Sequence, residues 1–212
     1  MRKILLGTTA LSFLVLSSAA YAQEAETTDD AGIGEIVVTA QKKEESLQKA
    51  GIAIDAVTGA DLATQGVTSA VDLTKTVPAI SMPSAGGSIT SIFIRGVGNV
   101  TSSSYNDPAV TPSYDGVVLG RGGGVFATAF YDLQRVEVLK GPQGILYGRN
   151  ATGGAVNIIP ARPELGRTGM GFNLGYGNFN ALSGDAYINF ATGDNSALRI
   201  AGSYLEHDGY NK

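Results

Sequence analysis

Between residues 169 and 206, apolar and polar positions alternate in three runs. Met170, Phe172, Leu174 and Tyr176 share one parity, against Gly171, Asn173, Gly175 and Gly177. After Asn178-Phe179-Asn180, Leu182, Gly184, Ala186, Ile188 and Phe190 face one way, and Ser183, Asp185, Tyr187 and Asn189 the other. Past the turn Gly193-Asp194-Asn195-Ser196, Leu198, Ile200, Gly202 and Tyr204 oppose Ala197, Arg199, Ala201 and Ser203. A period of two predicts strands, here three of about nine to eleven residues joined by tight turns. Two architectures share this pattern: a transmembrane β-barrel, apolar toward lipid and polar toward the lumen, and a soluble antiparallel meander with one buried face. Three strands cannot close a barrel, and each unpaired amide in hydrocarbon costs about several kcal/mol. On the barrel reading, the chain is therefore expected to be the front of a longer protein.

Upstream, residues 46–163 read as a small α+β domain of short elements. Ile52–Val57 predicts a strand. Thr58 can cap a helix over Gly59–Gln65, and Thr68 or Ser69 a second over Ala70–Thr76, ended by Pro78. Ile89–Val97 predicts a strand with an Arg-Gly turn at its end. Residues 98–124 are loop-rich, with a short strand at Gly116–Leu119. Phe126–Leu133 predicts a helical turn, Arg135–Leu139 a strand, Pro142–Tyr147 one helical turn with Pro near its start, and Gly153–Ile159 a further strand.

The chain begins with a basic pair, Arg2 and Lys3, an apolar run from Ile4 to Leu16, and Ala20-Tyr21-Ala22. That is the order of a secretory signal peptide, expected to be cut after Ala22. Gln23–Gly34 is polar and acidic and is expected to be a mobile tail. Glu35-Ile36-Val37-Val38-Thr39-Ala40 follows, strand-prone and set between charged flanks with no obvious partner nearby. It reads either as a detachable strand captured by another protein through β-augmentation or as the ordinary first strand of the domain.

Composition narrows the chemistry. Lys and Arg number 15 and Asp and Glu 19, a formal net charge of −4, without the basic face of a nucleic-acid binder. Cleavage after Ala22 would remove two cations and no anion. There is no Cys and one His, His207, which excludes Cys/His zinc sites, Cys nucleophiles, iron–sulfur clusters and disulfides. No metal or cofactor site is expected. Twenty-nine glycines, about twice average usage, point to strands and tight turns. The Gly-rich stretch Gly141–Gly154 lacks the Lys-Ser/Thr of a phosphate loop, since Gly153 is followed by Gly-Ala-Val, and it is not a strand–GxGxxG–helix unit. Turns that require φ > 0 explain it better. No acid–base pair with enzyme-like spacing stands out.

The order of these parts, with three motifs, resembles the TonB-dependent outer-membrane receptors. Glu35-Ile-Val-Val-Thr-Ala40 resembles a TonB box. Phe93-Ile-Arg95-Gly96-Val97-Gly98 resembles the plug's IRG motif. Asp132-Leu-Gln-Arg135-Val-Glu137-Val-Leu-Lys140-Gly141-Pro142-Gln-Gly-Ile-Leu-Tyr147-Gly148-Arg-Asn-Ala-Thr-Gly153-Gly154-Ala-Val-Asn157-Ile resembles the plug signature almost residue for residue. The resemblance covers roughly residues 35–212. It implies a signal peptide at 1–22, a linker at 23–45 with the box at 35–40, a plug domain at 46–163, and the first three strands of an antiparallel transmembrane barrel at 164–212.

The resemblance also implies a role: active import of a bulky, scarce nutrient, most often a ferric siderophore, across the outer membrane. Carbohydrate or cobalamin is an alternative, as is a truncated, soluble periplasmic plug that binds TonB. Iron, if any, arrives chelated in the ligand rather than as a cofactor. The expected partners are the TonB C-terminal domain, which adds Glu35–Ala40 to its sheet as a strand, outer-membrane lipid, and the nutrient ligand. By the same resemblance, Arg95 and Lys140 are plug cations that lock onto barrel carboxylates. Lys140 stands where Arg is usual, so bidentate geometry is lost. Loops at Pro83–Gly87 and Gly98–Asn106, with Tyr105, and also Arg121 are the expected ligand-facing positions.

Overall fold

Two neighbouring strands carry the centre of the α+β domain. In the computed structural model, which describes residues 36–39, 43, 45–83, 91–99, 107–119 and 130–209, β9 is Leu133–Lys140 and β10 is Gly154–Pro160. They pair antiparallel from Gly154↔Lys140 to Ile159↔Arg135. On the other edge of β9 lies β3, Ile54–Thr58, also antiparallel. Beyond β10 lies β7, Val110–Tyr114, parallel to it, then β8, Val117–Val118. The five-stranded order is β3-β9-β10-β7-β8.

One face of this sheet packs on helices. Val57, Val136, Val138, Val156 and Ile158 join Leu62, Leu73, Val77 and Ile94 in the main core. α1, Gly59–Thr64, starts as its residues require: Thr58 Oγ1 accepts from the Asp61 amide at 3.1 Å and Leu62 turns inward. Burying one such Leu contributes about 1.5–3 kcal/mol. The second predicted helix is split into a 3₁₀ turn, Ala70–Asp72, and α2, Leu73–Thr76. The Asp72 carboxylate accepts from the Ser69 amide and hydroxyl and pairs with Lys75. Burial pushes the Asp72 carboxyl up, but those contacts outweigh it and hold the group below its usual value of 3.8.

Three expectations need correction. The strand expected over Ile89–Val97 is a tight hairpin: β4, Ile80–Ser81, pairs with β5, Phe93–Ile94, which pairs with β6, Val97–Gly98. Arg95 and Gly96 form the turn expected there, at φ 51° and 79°, the double positive φ that a two-residue turn needs, and the chain returns as a further strand. Strand β7 was hidden among loop signals by Pro112. The Pro112 carbonyl accepts from Leu119 at 2.8 Å, so its backbone faces the short β8 side, and the missing N–H does not interrupt the ladder to β10. Finally, Phe130–Asp132 is not helical and Leu133 already opens β9; the rest of the expected Phe126–Leu133 turn lies outside the described residues.

The three alternating runs form a separate antiparallel sheet: β11, Gly169–Gly177, β12, Ala181–Gly193, and β13, Ser196–Glu206. Phe179 and Asn180, both at positive φ, make the first turn. Among the described residues this sheet is open, β11 and β13 each having one partner. Among the described residues, no helix is long and apolar enough to cross a membrane.

Candidate functional site

The segment 36–39 lies on the polar side of the central sheet. Along β9, Val136 and Val138 face the helices, so Arg135, Glu137 and Leu139 face the opposite side. That side is not solvated: Glu137 is 0% exposed and Arg135 8%. Covering it are Ile36, Leu47, Ala50, Ile52 and Tyr147, with Val38 fully buried against Leu139 and Ala155. Val37–Val38 form β1, paired antiparallel with β2, Glu45–Ser46, in the register Val37↔Ser46 and Val38↔Glu45. The hexapeptide is thus neither partnerless nor the first strand of the main sheet. Its partner is a two-residue strand, too short for alternation to reveal. Glu35 and Ala40 lie outside the described residues, as does the signal peptide expected at 1–22.

Thr39 joins this segment to a buried ion pair. Glu137 Oε1 accepts from the Thr39 amide at 2.8 Å, the Thr39 hydroxyl at 3.2 Å and Arg135 Nε at 2.8 Å. Arg135 Nη2 donates to Thr39 Oγ1 at 3.3 Å. Removing a Glu from water is costly unless its lone pairs are filled, and here they are. The chain of contacts continues across the sheet. Asn157 donates to Glu137 Oε2 at 3.4 Å and to the Tyr147 hydroxyl at 2.9 Å, and accepts from Ser113 at 2.6 Å. Burial raises the Tyr147 phenol pKa, against the Asn157 hydrogen bond and with nearby Glu137 adding to the rise.

The signature glycines hold the surrounding turns. Gly148 ends α3, Gly144–Tyr147, at φ 88°. Gly154 opens β10 at φ 142°, and a Cβ there would lie 2.2 Å from the Leu139 carbonyl oxygen, so no other residue fits. Gly141 is also at positive φ, Pro142 is exposed ahead of α3, and Gly153 is buried.

The α+β domain meets the sheet β11–β13 through the polar face of that sheet. Arg199 on β13 holds Asp132 with two donors, Nε to Oδ2 at 2.8 Å and Nη2 to Oδ1. Its guanidinium lies 3.9 Å from the centre of the Tyr187 ring. Asn189 on β12 accepts from the Glu164 amide at 3.0 Å and donates to the carbonyls of Glu164 at 3.0 Å and Arg167 at 2.6 Å, clamping the connection between plug and sheet. A cavity of about 300 Å³ remains nearby, lined by Thr68, Asn173, Ser183 and Asp185 among others. The opposite face presents Met170, Phe172, Leu174, Tyr176, Leu198 and Ile200, all exposed.

The barrel carboxylates that would lock Arg95 and Lys140 are expected in the rest of the barrel, outside this chain. Lys140 Nζ pairs at 2.6 Å with Asp55 of the adjacent strand β3, because both side chains project from the same face of the plug sheet. Arg95 is exposed and makes no ion pair with any described residue. Among the described residues, the ion pair from plug to strand sheet has the reverse polarity, carboxylate on the plug and arginine on β13. Alternation places Arg199 and Asn189 on the polar face, but no local signal names Asp132 as the partner. Tyr105, Arg121 and most of the expected ligand-facing loops lie outside the described residues.

Comparison with known proteins places these features in context. Residues 46–155 match the family described as TonB-dependent Receptor Plug Domain. The chain is 35% identical over 186 residues to the vitamin B12 transporter BtuB of Vibrio vulnificus (strain YJ016), covering 84% of this chain and 28% of that protein. It is 33% identical over 157 residues to the pesticin receptor of Yersinia pestis, covering 73% of this chain and 22% of that one. Among solved structures, the ferric yersiniabactin uptake receptor FyuA from Yersinia pestis matches with a TM-score of 0.61 at 28% identity, over 74% of this chain and 24% of that chain. The ferripyoverdine receptor of Pseudomonas aeruginosa shares the fold, with a TM-score of 0.67 at 20% identity, over 80% of this chain and 22% of that chain. The chain therefore spans less than a third of the length of these relatives.

Proposed function

The chain belongs to the TonB-dependent receptor family, through its plug domain at residues 46–155 and its 35% identity over 186 residues to a relative of that family, and from that premise we propose that it serves active import of a bulky, scarce nutrient across the outer membrane. The family is one of receptors and transporters, not enzymes. One observation carries the reading. The sheet β11–β13 turns its polar face to the plug through Arg199 and Asn189, and leaves its apolar face bare. That sorting suits a barrel wall with lipid outside and a plug within, and it disfavours the soluble meander.

In this reading, residues 35–40 are the strand that the TonB C-terminal domain adds to its own sheet. Main-chain hydrogen bonds supply the affinity. Arg95 and Lys140 are the plug cations that lock onto barrel carboxylates, and Tyr105 and Arg121 are the ligand-facing positions. The ligand is a ferric siderophore, supported by the relative named for ferric yersiniabactin uptake. Cobalamin is the second reading, favoured by the relative named as a vitamin B12 transporter.

Uptake of radiolabelled ferric siderophore and of labelled cobalamin, measured in cells carrying the intact receptor, separates the two. Ile36→Pro removes a backbone donor and disfavours the paired strand. It is expected to abolish uptake of whichever ligand is carried, and normal uptake by this variant would refute the box assignment.

A further inference from the structure

The arginine that holds Asp132 is itself supported from the sheet. Arg199 on β13 lies opposite Asn189 on β12, so Tyr187, on the same face of β12, is its diagonal neighbour. The guanidinium stands 3.9 Å from the centre of the Tyr187 ring, while its Nε and Nη2 donate to the two carboxylate oxygens of Asp132. Directly opposite Tyr187 on β11 is Gly171. A Cβ there would lie 2.6 Å from Tyr187 Cε1 and 3.0 Å from Cζ, so the ring occupies the space that any larger residue would fill. Gly171, Tyr187, Arg199 and Asp132 thus form one stack that draws on all three strands and ends on the plug.

Each layer has a physical reason. A free arginine side chain samples many rotamers, and ordering it for one carboxylate costs entropy. A ring face attracts a cation through its quadrupole, so a guanidinium resting on Tyr187 is already aimed when Asp132 meets it. Asp132 needs that precision. Its backbone is fixed at φ 49° and its carbonyl accepts from the Ala161 amide at 2.8 Å, which leaves its carboxylate little freedom to follow a moving partner. We infer that Tyr187 is a positioning residue for the plug: it presets Arg199 for Asp132, and Gly171 leaves its ring the room to do so. This rests on the reading of β11–β13 as the wall around the plug. It makes the seating of the plug depend on an aromatic side chain of the wall itself, and not on the two charges alone.

The intact receptor is purified in detergent, and hydrogen exchange is followed in the peptides that contain Tyr131–Gln134 and Ala161. Tyr187→Leu keeps an apolar side chain but removes the ring face, and exchange there is expected to quicken about five- to thirtyfold. Tyr187→Phe keeps the face and is expected to stay within about twofold of wild type. Phenylalanines carrying one, two and three ring fluorines at position 187 weaken the quadrupole stepwise at nearly constant shape, so exchange is expected to rise stepwise. Gly171→Ala presses on the far end of the ring and not on backbone, so the ring yields and the sheet keeps its fold. It is expected to quicken exchange about fivefold, with no further effect in a Tyr187→Leu background. Should Tyr187→Leu loosen the whole plug, the fluorinated series, which leaves the fold in place, decides. Wild-type exchange in Tyr187→Leu, with Arg199→Gln still fast, would overturn the positioning role. A flat response to fluorination would overturn it too, because packing alone is indifferent to the quadrupole. Additive effects of Gly171→Ala and Tyr187→Leu would overturn the part given to Gly171. No change in Arg199→Gln would overturn the reading of the sheet as the plug's wall, and this inference with it.

Discussion

Neutralising Arg199 tests how the plug is held against the sheet. The Asp132 and Arg199 side chains are 13% and 9% exposed, and the guanidinium engages both carboxylate oxygens. Leaving a largely buried charge without its partner costs about 3–5 kcal/mol. Asp115–Arg162, at 50% and 75% exposure and 3.2 Å, is the internal control, because such solvated pairs contribute about 0–1 kcal/mol. Asp132 sits at φ 49°, so Asp132→Asn is the right partner variant: Asn tolerates left-handed φ as Asp does, and the change isolates charge. Arg199→Gln, Asp132→Asn and the double variant form a double-mutant cycle, read by hydrogen exchange of peptides spanning Tyr131–Gln134 in the intact receptor. A coupling of about 2–3 kcal/mol is expected, and exchange in Arg199→Gln is expected to quicken by about a hundredfold. Coupling below about 0.5 kcal/mol, level with the Asp115–Arg162 control, would refute the view that this pair anchors the plug.

Other consequences follow from the same geometry. Gly154→Ala puts a Cβ 2.2 Å from the Leu139 carbonyl oxygen and is expected to cost more than about 3 kcal/mol or to prevent folding. Gly148→Ala meets open space, so it is expected to cost only the about 1–3 kcal/mol of backbone strain at φ 88°, ψ −179°, a region otherwise all but reserved for Gly. Thermal unfolding ranks the two, and equal losses would count against the steric account. Asn189→Ala removes three contacts to the backbone of 164–167; faster exchange confined to that connection is expected, and an unchanged rate would sink the clamp. Asp72→Asn is expected to cost about 1 kcal/mol through the helix start. Because the folded carboxyl lies below 3.8, that contribution is full above the unfolded value and is lost as the pH falls through the folded one. Denaturation of wild type and variant across acid pH checks this, and a gap that persists to the lowest pH would refute it.

The sequence alone determined what is local and periodic. The three alternating runs became β11–β13 because a period of two needs no distant partner to declare itself. Thr58 capped α1 for the same local reason, and the positive φ at Gly148 followed from the turn it must make. Only the tertiary structure decided what the polar residues of each strand meet. Arg135 and Glu137 alternate with valines as if one side of β9 faced water, yet both sides are buried, because a segment 98 residues away supplies Thr39. Lys140 finds Asp55 across 85 residues, and Arg199 finds Asp132 across 67. Strand β7 pairs correctly despite Pro112, because the missing donor falls on the side away from β10. Contacts of this kind depend on which strands become neighbours. That is settled by burial and backbone pairing over the whole chain, and it leaves no mark on the spacing of residues along it.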